Sequence, residues 1–197
     1  MATLTFWGGV GTVTGSKYLL DTGEKHILID CGLFQGLKEL RERNWQPPPF
    51  SPKSLDAVIL THAHIDHTGY LPRLVAEGYR KPIYCSKATA ELLKILLPDS
   101  ARLQEEEAEY RNRHQLTRHN PARPLYTEED VQRTLELLRP IGRDEEPYHL
   151  VAGVTARLYV AGHLLGSRFI HLTLEDSGKT LLFSGDLGHK NPLILKD

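Results

Sequence analysis

The order of patterns along this 197-residue chain predicts an α/β fold. Three observations carry that prediction. The N-terminal third reads as short strands. The middle alternates apolar runs of strand length with helical spacing, punctuated by Pro and Gly. The final stretch returns to strand periodicity. In open α/β sheets, functional groups gather at the C-terminal ends of strands.

Residues 3–7 (Thr-Leu-Thr-Phe-Trp) alternate as a half-buried strand does. Residues 17–20 and 26–29 flank Asp21-Thr22-Gly23-Glu24, a hairpin signal. Residues 8–16 between the first two strands are too glycine-rich for a regular element, and they lack the Lys of a phosphate-cradling P-loop. They are expected to run close under an active site. Residues 33–44 show helical spacing with many charges, and Pro47-Pro48-Pro49 ends that segment. Residues 55–60 are a short apolar run, as a buried parallel strand requires. Residues 70–76 predict a helix with Pro72 in its first turn. Residues 82–85 predict a strand. Ser86 then caps a helix to about Leu97, with Leu92, Leu93, Leu96 and Leu97 as its apolar stripe.

Residues 99–140 form a more polar helical segment. Glu105, Glu106, Glu107 and Glu109 precede Arg111, Arg113, Arg118 and Arg123, which predicts a solvated face. The functional alternative is that these arginines, with His114 and His119, contact a phosphate backbone. Thr127-Glu128-Glu129-Asp130 opens a helix to about Leu138, with Pro140 beyond it. Residues 154–160, 169–174 and 180–183 are the closing strands.

Composition narrows the partners. Net charge is −1, so an anionic substrate must be attracted locally, by a metal or a basic patch. No apolar run approaches the ~20 residues of a membrane span. The first residues lack the basic start and apolar stretch of a signal peptide. Cys31 and Cys85 read as buried thiols rather than a bridge, which fits a cytoplasmic protein.

The most specific chemistry lies in residues 61–69, Thr-His-Ala-His-Ile-Asp-His-Thr-Gly. His62, His64, Asp66 and His67 concentrate imidazole and carboxylate, the donors that suit zinc and its borderline neighbours. His62 and His64 are two apart, so they can share one ion only from an extended or loop backbone. Asp66 and His67 can turn toward a second ion. Two later segments add to them. His163 follows a strand in Ala161-Gly162-His163-Leu164-Leu165-Gly166-Ser167, and Asp186 follows another in Ser184-Gly185-Asp186-Leu187-Gly188.

These segments resemble the metallo-β-lactamase superfamily. Asp30-Cys31-Gly32-Leu33-Phe34-Gln35-Gly36 and Gly11-Thr12-Val13-Thr14-Gly15-Ser16 narrow the resemblance to its β-CASP nucleases, the group of RNase J and the endonuclease subunit of the pre-mRNA 3′-end cleavage complex. The resemblance implies a sandwich of mixed sheets flanked by helices. It implies that His62, His64 and His163 hold one zinc, and that Asp66, His67 and Asp186 hold a second, with Asp186 bridging. Mn2+ is an acceptable substitute. Asp30 supports the site from behind. Asp66, Asp186 and His163 are then the catalytic positions, RNA is the substrate, and a hydroxide between the ions attacks phosphorus. A homodimer is compatible with this picture. Members of that group continue past the Asp186 motif into an inserted domain, then complete the lactamase domain with a further His ligand. Residues 1–197 therefore read as an N-terminal portion of the metallo-β-lactamase domain, lacking the β-CASP domain and the C-terminal completion, so the second zinc site is expected to be incomplete. Weak or absent RNA cleavage is expected of this chain alone.

Three rival readings remain at this point. A hydrolase of thioesters or lactams shares the fold, but the Gly11–Ser16 and Asp30–Gly36 segments argue against it. An iron-binding oxidoreductase carries a Glu between the histidines, where this chain has Ile65. A non-catalytic scaffold loses ligands, whereas all six stand here.

Overall fold

The computed structural model describes residues 1–116, 121–141 and 144–189. Its strands form two sheets. The first takes β1 (Thr3–Gly8), β2 (Lys17–Asp21), β3 (His26–Ile29), β4 (Ala57–Ile59), β5 (Ile83–Ser86) and β6 (Leu138–Ile141) in sequential order. It is antiparallel from β1 to β3 and parallel from β3 to β6. The second takes β7 (Tyr148–Val151), β8 (Val154–Val160), β9 (Arg168–Leu174) and β10 (Thr180–Phe183), in the order β10-β9-β8-β7. All its described pairings are antiparallel, so only the first sheet is mixed. Short connections between consecutive strands allow no parallel crossover.

The two faces of the first sheet bury different partners. Leu28, Val58, Ile83 and Cys85 face a core shared with α3 (Leu71–Ala76), α4 (Lys87–Arg113) and α5 (Glu128–Leu135). Ile27, Ile29, Ala57 and Ile59 face the second sheet, against Ala156, Leu158, Ile170 and Leu172. The period-2 alternation of side chains assigns each residue to its layer. Each fully buried Leu or Ile contributes about 1.5–3 kcal/mol. The layers therefore run helices, first sheet, second sheet. Cys31 and Cys85 are free and buried, as their isolation in sequence predicts.

Several boundaries differ from the sequence reading. The helix expected over 33–44 is only α1 (Lys38–Arg43). Residues before it stay extended because the Asn44 side chain takes both backbone groups of Phe34: its Oδ1 accepts from the amide at 2.9 Å and its Nδ2 donates to the carbonyl at 2.8 Å. α4 does not stop near Leu97; it continues through Pro98 to Arg113, because Ala101 and Ala108 extend the buried stripe of Leu93 and Leu97. The helix opened by Thr127 ends at Leu135, and Pro140 lies inside β6 instead of beyond a helix. β6 is an edge strand, where Pro is tolerated. β7 was also missed. The acidic and basic run is a solvated face: Arg102 pairs with Asp99 and Glu106, and Arg111 with Glu107. Arg118 and His119 lie outside the described residues. Among the described residues, no helix is long and apolar enough to cross a membrane.

Candidate metal centre

β4 ends at Ile59, and the chain stays extended through His62 and His64. It then coils into one turn, α2 (Ile65–Thr68), which carries Asp66 and His67. Thr68 closes the turn by donating to the carbonyls of Ala63 and His64, at 3.1 and 2.9 Å. His163 follows β8. Its amide and that of Leu164 both donate to Ser167 Oγ at 3.1 Å. Asp186 follows β10, and the two loops are tied by a bond from the Gly188 amide to the Ala161 carbonyl, 3.0 Å. Both loops lean on Thr61. Its carbonyl accepts from the Arg168 amide at 2.9 Å. Gly185, at φ 55°, lies so close that a Cβ there would meet the Thr61 side chain at 2.8 Å.

His62 Nε2 stands 3.0 Å from His64 Nδ1, and His163 Nε2 stands 3.2 Å from that same nitrogen. Asp186 Oδ2 is 3.5 Å from His163 Nε2 and 3.8 Å from His62 Nε2. These four side chains each offer a ligand atom, all within 4.8 Å of one another. Donors about 2.1 Å from a tetrahedral ion stand roughly 3.4 Å apart, so the spacing is that of a coordination shell. A second group adjoins the first. Asp186 Oδ1 is 3.3 Å from His67 Nε2, and Asp66 Oδ2 is 3.8 Å from the same nitrogen.

The far sides of the rings are fixed as well. Asp30 Oδ2 accepts from His67 Nδ1 at 2.7 Å. The Thr61 hydroxyl donates to Asp30 (2.9 Å to Oδ2) and lies 3.0 Å from His62 Nδ1. With the hydroxyl proton on Asp30, Thr61 Oγ1 accepts from the Nδ1–H of His62. In the neutral rings of His62 and His67 the Nε2 lone pair then faces the shared centre, as metal ligation needs. Asp30 itself sits at φ 55°, held by the Thr61 amide (2.8 Å) and Ser16 Oγ (3.3 Å). Burial, then the neighbouring His67, pushes His62 down to about 4. Burial opposes protonation of His67 too, but the Asp30 carboxylate outweighs it and holds His67 up near about 9.

All seven residues singled out in the sequence, His62, His64, Asp66, His67, His163, Asp186 and Asp30, thus converge. Sequence reasoning missed Thr61 and Ser167. Position gives the only hint of either: Thr61 separates the β4 run from the first His, and Ser167 ends the loop that His163 opens.

A family profile described as the metallo-beta-lactamase superfamily matches residues 10–197. The chain belongs to that superfamily. The described fold is likewise similar to a solved metallo-β-lactamase with a HARLDQ motif from Cronobacter sakazakii, at 28% identity and TM-score 0.54, covering 94% of this chain and 61% of that one. Among curated proteins, ribonuclease TTHA0252 of Thermus thermophilus is 39% identical over 191 residues, which span 97% of this chain and 39% of that protein. The transcription termination factor FttA of Methanothermobacter thermautotrophicus is 32% identical over 99% of this chain and 29% of its own length. The superfamily chain described here therefore spans well under half the length of these two relatives. The first of these names accords with the β-CASP ribonuclease branch that the motifs resemble.

Proposed function

We propose that this chain carries the dinuclear zinc centre of an endoribonuclease that hydrolyses RNA phosphodiesters. One observation carries the reading: Asp186 turns Oδ2 toward the His62–His64–His163 group and Oδ1 toward His67. A shared carboxylate between two donor groups suits a pair of ions, and paired ions suit in-line displacement at phosphorus. Zinc, or manganese in its place, would be held by His62, His64 and His163 on one side and by Asp66 and His67 on the other. When bound, the ions neutralise phosphoryl charge and acidify a water.

The chain's own side chains do the rest. Thr61 and Asp30 orient the rings of His62 and His67, so those two ligands bind without turning. His62 stays neutral at physiological pH, because burial and its neighbour His67 disfavour its charge. Asp186 is 42% exposed and His163 26%, whereas His62 is fully buried, so the centre opens on the side of the two loops. A phosphodiester approaches from there, against Asp66, Asp186 and His163, the residues we propose as catalytic. RNA as the substrate is supported by the relative named a ribonuclease. The net charge of −1 leaves the centre itself as the main attraction for phosphate.

The test is hydrolysis by the metal-depleted and zinc-reconstituted chain. Substrates are an internally labelled RNA, bis-p-nitrophenyl phosphate, a thioester and a lactam. The reading expects zinc-dependent turnover of the activated ester, with RNA cleaved weakly or not at all and any RNA products internal. Turnover of the thioester or lactam with inert phosphodiesters would replace it.

A further inference from the structure

Lys17 is a charged residue at the start of β2, yet only 1% of it is exposed. Its ammonium lies 4.3 Å from the Phe34 ring centroid, 4.9 Å from Trp7 and 5.1 Å from Tyr70. It donates to the carbonyls of Gly15 (3.3 Å) and Gly32. Three aromatic faces and two carbonyls form a cage that accepts a cation without a carboxylate. Burial still lowers its affinity for the proton, to a pKa of about 8.

The two carbonyls belong to the two segments that grip α2. The Ser16 amide donates to the Asp66 carbonyl at 2.9 Å, and the Cys31 amide to the His67 carbonyl at 2.7 Å. The Leu33 amide donates to the Ile65 carbonyl at 3.0 Å, and the Gly32 amide to the Ser16 carbonyl at 3.0 Å. Contact is so close that a Cβ on Gly32 would fall 1.6 Å from the Asp66 carbonyl oxygen. The other ligands stand one step further from Lys17: Thr61 lies behind His62 and reaches the Gly15 segment only through Asp30 and Ser16, His64 caps the α2 turn, and Ser167 lies beneath His163.

We propose that Lys17 is a positioning residue for the second metal site. Its ammonium draws the Gly15 and Gly32 segments together, and that pair holds the Asp66–His67 turn against the shared carboxylate of Asp186. The inference rests on the two-ion reading above and adds a residue to it. Lys17 touches neither ion nor substrate, and its influence is graded: it acts directly on the Asp66–His67 turn and only through further contacts on the His62–His64–His163 side.

The experiment is a zinc titration of the 197-residue chain against a competing chelator, comparing the parent with Lys17→Met, which keeps the stem and removes the charge. Far-UV circular dichroism of the metal-free variant checks folding. The expected result is a weaker second binding step by about 10–100-fold, the usual cost of losing an outer partner, with the first step changed less than about threefold. Lys17→Gln, which retains an N–H donor, should recover part of the loss. Equal weakening of both steps, or an unchanged second step, overturns the positioning role. Should Lys17→Met fail to fold, amide exchange on the parent decides. The second zinc equivalent should slow exchange at Ser16, Cys31 and Leu33, and unaltered exchange there overturns the role. A parent that takes up only one zinc overturns the two-ion reading itself, and the positioning role with it.

Discussion

The two sides of the metal centre are built differently. One side, His62, His67, Thr61 and Asp30, is at most 5% exposed and follows closely on β3 and β4, at the end of the first sheet and in the α2 turn beyond it. The other, His163 and Asp186, is 26% and 42% exposed and hangs on loops after β8 and β10. The first side is set by packing, so its ligands share hydrogen bonds with the core. The second is set by a few loop contacts, through Ser167, Gly188 and Gly185. Metal affinity should therefore depend on both sides, while folding stability should depend mainly on the first.

The largest effect should come from Asp186→Ala. Outer-shell partners cost about 10–100-fold in metal affinity, and loss of a shared ligand should exceed that at both steps of a zinc titration. Unfolding in urea without metal should be nearly unchanged, since the residue is a half-exposed loop position. A variant that retained either zinc step at parental affinity would break the comparison.

Asp30→Ala should do the reverse in kind. It strips acceptors from the Thr61 amide and hydroxyl and from His67. Breaking a buried charged partnership costs about 3–5 kcal/mol, read as a lower midpoint of metal-free denaturation. A loss below about 1 kcal/mol would show that the first side is not anchored in the core. Thr61→Val keeps the shape and removes the hydroxyl. About 1–3 kcal/mol should go, with a weaker first zinc step. Ser167→Ala should cost only about 1 kcal/mol, because the freed amides lie near solvent, and should weaken the first step by a few fold.

The smallest effect is in the pH profile of stability. Burial lowers Lys17 from 10.5 to about 8, so above pH 8 the unfolded chain binds the extra proton and stability rises with pH. Burial raises Cys31 and Cys85 from 9.0 to about 12, so above pH 9 the folded chain holds the extra protons and stability falls. Each proton difference gives a slope of about 1.4 kcal/mol per pH unit at most. His67, held up at about 9 when folded, also keeps an extra proton below pH 9, which offsets the Lys17 rise, so metal-free denaturation midpoints should fall from pH 8 upward. Lys17→Met should make that fall steeper, since only Lys17 among these groups opposes it.

The same contrast explains what the sequence disclosed. The ligand run was legible because its chemistry is local: His62, His64, Asp66 and His67 follow one apolar strand. β2, β3, β4 and the Ser86 cap were legible for the same reason, since periodicity and capping act over a few residues. The extent of α4 was not. Leucines give way to Ala101 and Ala108 on its buried face, and Pro98 mimics a stop. β6 hid behind Pro140, whose tolerance depends on being an edge strand, a property of the whole sheet. The supports of the centre were least visible. Thr61 meets Asp30 across 31 positions, and Lys17 meets Gly32 across 15. No spacing rule connects such pairs, because the register of β2, β3 and β4 brings them together.

The central claim is that Asp186 joins two ion sites into one centre. Anomalous diffraction at the zinc edge, from crystals of this chain grown with excess zinc, tests it most directly. The account predicts two peaks about 3.5–4 Å apart, one among His62, His64 and His163, the other beside Asp66 and His67, with one Asp186 oxygen toward each. A single peak with Asp186 turned away from it, or two peaks too far apart to share that carboxylate, would contradict the account.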